Sequence, residues 1–520
     1  MRVARGASIV VAAVSLAGSL AGCAVTPEPI GPEVLDWEAR VNIVEAGRDQ
    51  EPFTRPVTIY EAMARALKYN LDLKVEMAQT ALKNAELDLS NYNLLPTAVA
   101  NAGYANRDNY NASSSLNLET GDQNFGASTS QERQSKTADL TFSWNILDFG
   151  LSYIRAQQAA DRALINAELQ KRVSHKLLED VRTTFWRAVS YERLASRLRN
   201  VEGRVRAAIS VSRDLSAIGE TSPVAALTNE RELVEIKRTI KELDRELIVA
   251  KAQLANLMAV PAGVNFTLDT SSRPHTPSHL SLTLPEMMDV AVRDRAELRE
   301  NLYLQRINMK EADAALLQLL PGIQLYAGPN VDSNMFLLNN DWVSWGAKAS
   351  WNLLRVFQYP AQSEVINQQQ DVLRARALAL TMAVMMQVRV SDISFKHARE
   401  ELSVANEHVS VQQRLLRQMS HEVEAGRISD HVYLREEMNA LIAEAKLDLA
   451  YSTLQSSFAG LLTSIGAEPY GAIDPWQSLG DMVTTLKHDP IQKGIIPAAP
   501  LPPVEVETVT VPDKVALQAQ

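Results

Sequence analysis

The chain has few of the residues that build catalytic or cross-linked proteins. Among its 520 residues there is one cysteine, Cys23, so neither a disulfide framework nor thiol chemistry in the body of the protein is available. Glycine and proline are sparse, at 21 and 22, and aromatic residues make up only 6%. What remains is long stretches rich in Ala, Leu, Glu, Arg and Gln, a mixture that favours extended helix over a compact α/β or all-β body. The formal charge of −10 comes from 62 acidic and 52 basic residues of interspersed sign, and no basic patch points to a nucleic-acid partner. Beyond the N-terminus no apolar run approaches the roughly 20 residues of a spanning helix. Gly-rich phosphate loops, Gly-x-Ser-x-Gly elbows and His-Glu-x-x-His motifs are missing too. His275 and His279 are four apart, but Pro274 and Pro277 argue against the helix that would aim both at one metal. His421 and His431 read as solvated. The expectation is a protein with no catalytic residue, no metal and no cofactor.

What is present begins at the N-terminus. Two arginines in Met1 to Arg5, a short apolar run from Ala7 to Leu16, and then Leu20-Ala21-Gly22-Cys23 make an export signal. The last four residues match a bacterial lipobox, which predicts cleavage before Cys23 and its acylation; the alternative is an ordinary signal peptide with a chance cysteine. At roughly 0.8 kcal/mol per buried methylene, a multiply acylated cysteine is a durable anchor. Ala24 rather than Asp after the cysteine fits sorting to an outer membrane.

The chain is also a duplication. A shift of 225 aligns Thr58, Glu61, Met63, Ala66, Leu73, Glu86 and Leu94-Leu95-Pro96 with Thr283, Glu286, Met288, Ala291, Leu298, Glu311 and Leu319-Leu320-Pro321, without a gap. A shift of 207 aligns Ser143-Trp144-Asn145-Ile146-Leu147 with Ser350-Trp351-Asn352-Leu353-Leu354, and Gly219, Ser222 and Leu227 with Gly426, Ser429 and Leu434.

Each copy opens with a helical pattern, Ile59 to Tyr92 and Leu284 to Leu317, behind a Thr-x-x-Glu capping box. Pro96 and Pro321 stop these helices. The period then falls to two. Ala138, Leu140, Phe142 and Trp144 alternate with Asp139, Thr141, Ser143 and Asn145; Trp345, Ala347, Ala349 and Trp351 alternate likewise. Such strands suit either a half-buried soluble hairpin or a transmembrane one with apolar residues outward. Asn106 to Lys136 reads as a long polar loop.

Long helices follow. Leu151 to Ile218 has no proline, and Leu194, Leu198, Val201, Val205, Ala208, Ser212 and Leu215 form a heptad seam; Leu402, Ala405, Val409, Gln412, Leu416, Met419 and Val423 form another. About 66 residues give a rod of roughly 100 Å. Gly219 and Gly426 end the rods, and helices return over Val224–Met258 and Val432–Ile465. Four strands cannot close a barrel in lipid, so copies must supply the rest.

These residues resemble the outer-membrane efflux protein (TolC) family, lipoprotein type, over about Val57 to Gly466. The opening Thr-x-x-Glu-Ala with Asn70-Leu71, the Leu-Leu-Pro breaks, Trp144-Asn145-Ile146-Leu147-Asp148-Phe149-Gly150 and both Gly-x-x-Ser tips carry the likeness. The resemblance implies a mainly α fold with a small β part, in which a duplicated helix, β-hairpin and coiled-coil hairpin unit assembles as a homotrimer. A twelve-stranded barrel would then stand over a periplasmic helical tunnel. It implies an outer-membrane exit duct of a tripartite efflux or type I secretion system, served by an inner-membrane pump of RND or ABC type. A periplasmic adaptor (membrane fusion) protein would dock at the tips Gly219, Thr221, Ser222, Gly426, Ile428 and Ser429. The alternative is a periplasmic coiled-coil lipoprotein acting as a scaffold or tether. Phe142, Trp144, Trp345 and Trp351 are the expected aromatics of the barrel strands. The sequence departs from the family at the entrance: Ala225 and Val432 stand where an acidic residue is usual, and Asp430 either replaces it or is only a favoured helix N-terminal acid. Arg355-Val356-Phe357 likewise stands at the counterpart of Asp148-Phe149-Gly150. The domains expected are a signal peptide (1–22), a lipidated extension (23–56), a first repeat (57–263), a linker (264–279), a second repeat (280–470) and a largely disordered tail (471–520), in a chain anchored at Cys23 and mostly periplasmic.

Overall fold

The computed structural model describes residues 27–217, 222–271, 280–467 and 477–496. The chain divides into two units. The first holds α1 (Pro32–Glu45), no residue of which is buried, and the stretch 260–263. The second holds everything below, the expected duplication included.

The opening helical pattern of each repeat forms two helices rather than one. In the first repeat these are α2 (Ile59–Tyr69) and α3 (Leu71–Tyr92); the second repeat has α6 (Leu284–Asp294) and α7 (Ala296–Leu317). The breaks fall on Asn70 and Arg295, both with extended ψ, near 130°. Asn70 stops one helix and starts the next because its Oδ1 accepts from the Leu73 amide at 3.0 Å, the competition asparagine offers to helix continuation. Apolar periodicity runs on past each break, so the pattern alone could not reveal it. Both capping residues behave as expected. Thr58 Oγ1 accepts from the Glu61 amide at 3.2 Å, and Glu286 accepts from the Thr283 amide at 2.7 Å.

After Pro96 come β1 (Thr97–Asn106) and β4 (Gln134–Asn145); after Pro321 come β5 (Gly322–Asp332) and β6 (Asp341–Ser350). They form one antiparallel sheet in the order β1-β4-β5-β6, so the repeats are joined through β4 and β5 and the edges are β1 and β6. The expected loop between β1 and β4 contains a small hairpin, β2 (Ser113–Leu116) and β3 (Gln123–Ser128). Asn117 sets its turn by accepting from the Glu119 amide at 2.9 Å, and Gly121 supplies φ +75°. The polar composition of the segment hid these strands.

The rods are α4 (Ile146–Ala217) and α8 (Arg355–Glu424), with returns α5 (Pro223–Leu257) and α9 (Asp430–Ile465). At 72 residues α4 is about 108 Å long. Its expected seam is real: Leu194, Leu198, Val201 and Val205 are buried with Leu233, Ile236 and Ile240 of α5 and Met438 and Leu441 of α9. Only Val409 of the matching α8 seam is buried. Along the chain, α4 packs on α5, α9, α3 and α7, whereas α8 packs on α9, α7 and α6.

The C-terminal segment departs from expectation. Residues 479–488 form α10 (Leu479–His488), followed by a 3-10 turn at Pro490–Lys493. Leu479, Met482 and Leu486 are buried, and Ile491 and Ile496 enter the second-repeat core. The Ser281 amide donates to Gly494 O at 2.9 Å and clasps the segment to the start of the repeat. The apolar spacing of α10 was overshadowed by the prolines downstream, and 497–520 lies outside the described residues.

Candidate functional site

Register decides which side chains share a face of the sheet. Ala100 pairs with Leu140, Ala98 with Phe142, Trp144 with Leu325, and Ala327 with Trp345. This face is apolar on all four strands. The opposite face carries Asn101 paired with Asp139, Asp139 with Asn330, and Gln324 with Lys348. Exposure is inverted relative to a soluble sheet. In β4, Leu140, Phe142 and Trp144 are exposed while Asp139, Thr141 and Ser143 between them are half-buried. Trp345 is 79% exposed. Water does not favour so wide an apolar face, whereas a lipid surround does. At about 3.3 Å per residue, strands of ten to twelve residues reach roughly 33–40 Å along their length, enough for the apolar band of a bilayer even when tilted.

Three of the four expected wall aromatics, Phe142, Trp144 and Trp345, lie on this face. Trp351 does not. The strand ends at Ser350, and the Trp351 Nε1–H donates to Leu319 O at 2.9 Å, tying the base of β6 to the end of α7. Alternation could not show this, because the last residue of an alternating run looks like the others. Trp144 meets Phe149 edge-on at 5.5 Å, where β4 enters α4.

Gly328 marks the closest approach of backbone within the sheet. A Cβ there would lie 1.9 Å from Leu140 O, so only glycine fits.

The second hairpin tip closes as expected. Gly426 has φ +69°, its amide donates to Val423 O at 2.9 Å, and the Arg427 amide donates to Glu422 O at 2.9 Å. This is a Schellman closure. Ile428 is half-buried, and Ser429 takes the N-cap position of α9. In the first tip, Gly219 and Thr221 lie outside the described residues; Ser222 is the N-cap of α5. Asp430 is the first residue of α9, where the helix dipole favours it. It borders an open groove shared with Arg204, Val211, Ala226 and Leu233. Cys23, like His275 and His279, lies outside the described residues.

The two hairpins are joined by a ladder that sequence reading missed. Arg193 Nη1 donates to Asp448 Oδ1 at 2.5 Å, Arg197 pairs with Glu444, and Arg204 with Glu437. Asp448 is 4% exposed and also accepts from Ser190 Oγ at 3.1 Å. The signal was available: the arginines are spaced four then seven, and the acids seven then four, a mirror that antiparallel helices require. Within the first hairpin, Lys241 Nζ donates to Glu202 Oε2 at 2.9 Å. That bond, seconded by Arg206, holds the Glu202 carboxyl below its ordinary range.

Two apolar seams face outward. On α3, Leu71, Val75, Ala78, Leu82, Ala85, Leu89 and Tyr92 follow one another at steps of four and three, and all are exposed. On α8, Val372, Ala375, Ala379, Met382, Met386 and Ile393 are likewise exposed. Their positions follow from the duplication. The 22 residues of α7 lie between α4 and α8, while the 22 residues of α3, its counterpart, pack on α4. One stretch of α8 is apolar enough to cross a membrane, contrary to the expectation that no such run occurs past the N-terminus. Its buried side, Val384, Val388 and Phe395, serves the chain's own core, and its other side is the free seam.

No protein-family model and no curated protein matches the sequence. Solved structures do. The CmeC outer membrane channel of Campylobacter jejuni superposes with a TM-score of 0.61 at 13% identity, over 90% of this chain and 98% of that one. The MtrE outer membrane channel of Neisseria gonorrhoeae, in its open state, gives 0.60 at 15% identity, over 85% and 98%. The outer membrane protein VceC of Vibrio cholerae gives 0.57 at 12%, over 78% and 96%. The protein therefore has the fold of the TolC-type outer-membrane channels, mainly helical with a small sheet.

Proposed function

We propose that the chain is the outer-membrane exit duct of a tripartite efflux or type I secretion system, and that it acts by conducting rather than by catalysis. The observation that carries this reading is the inverted sheet, whose apolar face is exposed on all four strands while the polar residues of β4 are half-buried. A scaffold or tether would have turned that face onto its own core.

The working form is a homotrimer. Edges β1 and β6 need partners in lipid, and three copies supply twelve strands, an even number of the kind such barrels use. The free seam of α3 finds in the α8 seam of the next copy the neighbour that α7 finds within the chain. Acylated Cys23 anchors the protein to outer-membrane lipid. The tips at Gly219, Thr221, Ser222, Gly426, Ile428 and Ser429 receive a periplasmic adaptor fed by an inner-membrane pump of RND or ABC type, and Asp430 lies at the periplasmic entrance.

Purified protein added to a planar bilayer should give unitary conductance steps. A silent bilayer together with a water-soluble monomer would sink the reading.

A further inference from the structure

The polar face of the sheet carries few charges, and their placement is informative. Asp332 lies at the loop end of β5, where its Oδ1 accepts from the Asn334 amide at 3.0 Å and is absorbed in a turn. Lys348 lies near the helical end of β6. Between them the face carries a single charged residue, Asp139, in the middle of β4.

Asp139 is held in place. Asn101 Nδ2 and Thr141 Oγ1 each donate to its Oδ2 at 3.0 Å, and Oδ1 takes part in neither bond. Register extends its row across the sheet: Asn101 pairs with Asp139, Asp139 with Asn330, and Asn330 with Trp342. Trp342 is therefore a large aromatic on the polar face, in the same row as the carboxylate.

We propose that Asp139 gives the barrel lumen a preference for cations, with Trp342 extending it to organic cations through its ring face. This rests on the trimeric duct reading above, in which the polar face lines the lumen and symmetry makes a ring of three carboxylates. The cationic residue on this face does not cancel that ring. Lys348 lies six residues along β6 from the row, about 20 Å, so even unscreened it acts on an ion at the row with less than half the Coulomb energy of a carboxylate about 8 Å away. A carboxylate about 8 Å from a passing ion in water changes its local concentration roughly twofold.

The test is the reversal potential of full-length protein in a planar bilayer across a KCl gradient at low ionic strength. Wild type should be cation-selective. Asp139→Asn should lower the potassium-to-chloride permeability ratio by roughly twofold or more, and Asn101→Asp, which adds a carboxylate to the same row, should raise it. A tetraalkylammonium ion should block wild type more strongly than Trp342→Ala. Conducting channels whose selectivity ignores both carboxylate changes would overturn the inference while leaving the duct intact. Absence of conductance in wild type together with a water-soluble monomer would overturn the duct itself. If Asp139→Asn fails to assemble, Asn101→Asp decides alone, an unchanged ratio counting against the proposal.

Discussion

Asn70 and Arg295 stand at the same position of the two repeats, and each reaches back to the end of its own return helix. Asn70 Nδ2 donates to Leu257 O at 3.1 Å, and Arg295 Nη1 donates to Ser464 O at 3.3 Å. The donors are 225 residues apart and the acceptors 207, the two shifts of the duplication. The bond has outlived the identity of the residue that makes it, because the extended backbone at the break must be held whichever side chain is there.

The two positions should differ in cost. Arg295 also pairs with Glu297 at 2.8 Å and donates to Gln387 Oε1 at 3.1 Å, nearly buried. Arg295→Ala takes the donor from the Glu297 carboxylate and from three carbonyl oxygens, those of Thr463, Ser464 and Gln387, and should cost about 3–5 kcal/mol. Asn70→Ala removes a cap and one hydrogen bond, about 1–2 kcal/mol. Denaturant unfolding of the two variants in detergent checks the order, and equal losses would contradict it.

Glu202 predicts an acid dependence. Its carboxyl is held low by Lys241, so the stabilisation is present above the ordinary glutamate value of 4.5 and is lost as pH falls through the lower folded value. Near neutrality Glu202→Gln should be less stable by about 1 kcal/mol; in stronger acid the difference should vanish. Thermal melts of both proteins across that range would show convergence, and a constant gap would rule the pair out as its source.

Gly328 should be the least replaceable glycine of the sheet. In Gly328→Ala the methyl carbon meets a backbone carbonyl that cannot turn aside, a clash of the kind that costs about 1–3 kcal/mol or more, and assembly in the membrane should fall sharply. Gly103→Ala meets only Thr137 Oγ1, at 2.7 Å, which can rotate. Heat-modifiable oligomer bands on gels should vanish for the first variant and persist for the second.

Leu82→Asp on α3 and Met386→Asp on α8 place a charge on exposed positions, so helicity should be unchanged. Each should nonetheless abolish the trimer in crosslinking. Survival of the trimer in both variants would remove these seams from the interface.

Most of this architecture could be read from the residues because its signals are local. Heptads mark the rods, period-two alternation marks β1, β4, β5 and β6, and Gly426 marks a tip through the one backbone angle it alone takes easily. The failures have a common cause. The breaks at Asn70 and Arg295, the fold of α10 and the bond of Trp351 to Leu319 rest on bonds and contacts of single side chains, local at Asn70 and distant elsewhere, which periodicity does not report. Phe142, Trp144 and Trp345 share the apolar face because register preserves the alternation; Trp351 leaves it where the strand ends.

The ladder between α4 and α9 also works as a vernier. Its rungs are unevenly spaced, so sliding one helix past the other by a single turn in either direction realigns one arginine with an acid and strands the other two opposite uncharged residues. Creep along the interface is thus penalised at its first step. A slip of one turn keeps one rung of three, so the native register is the deepest notch along this interface.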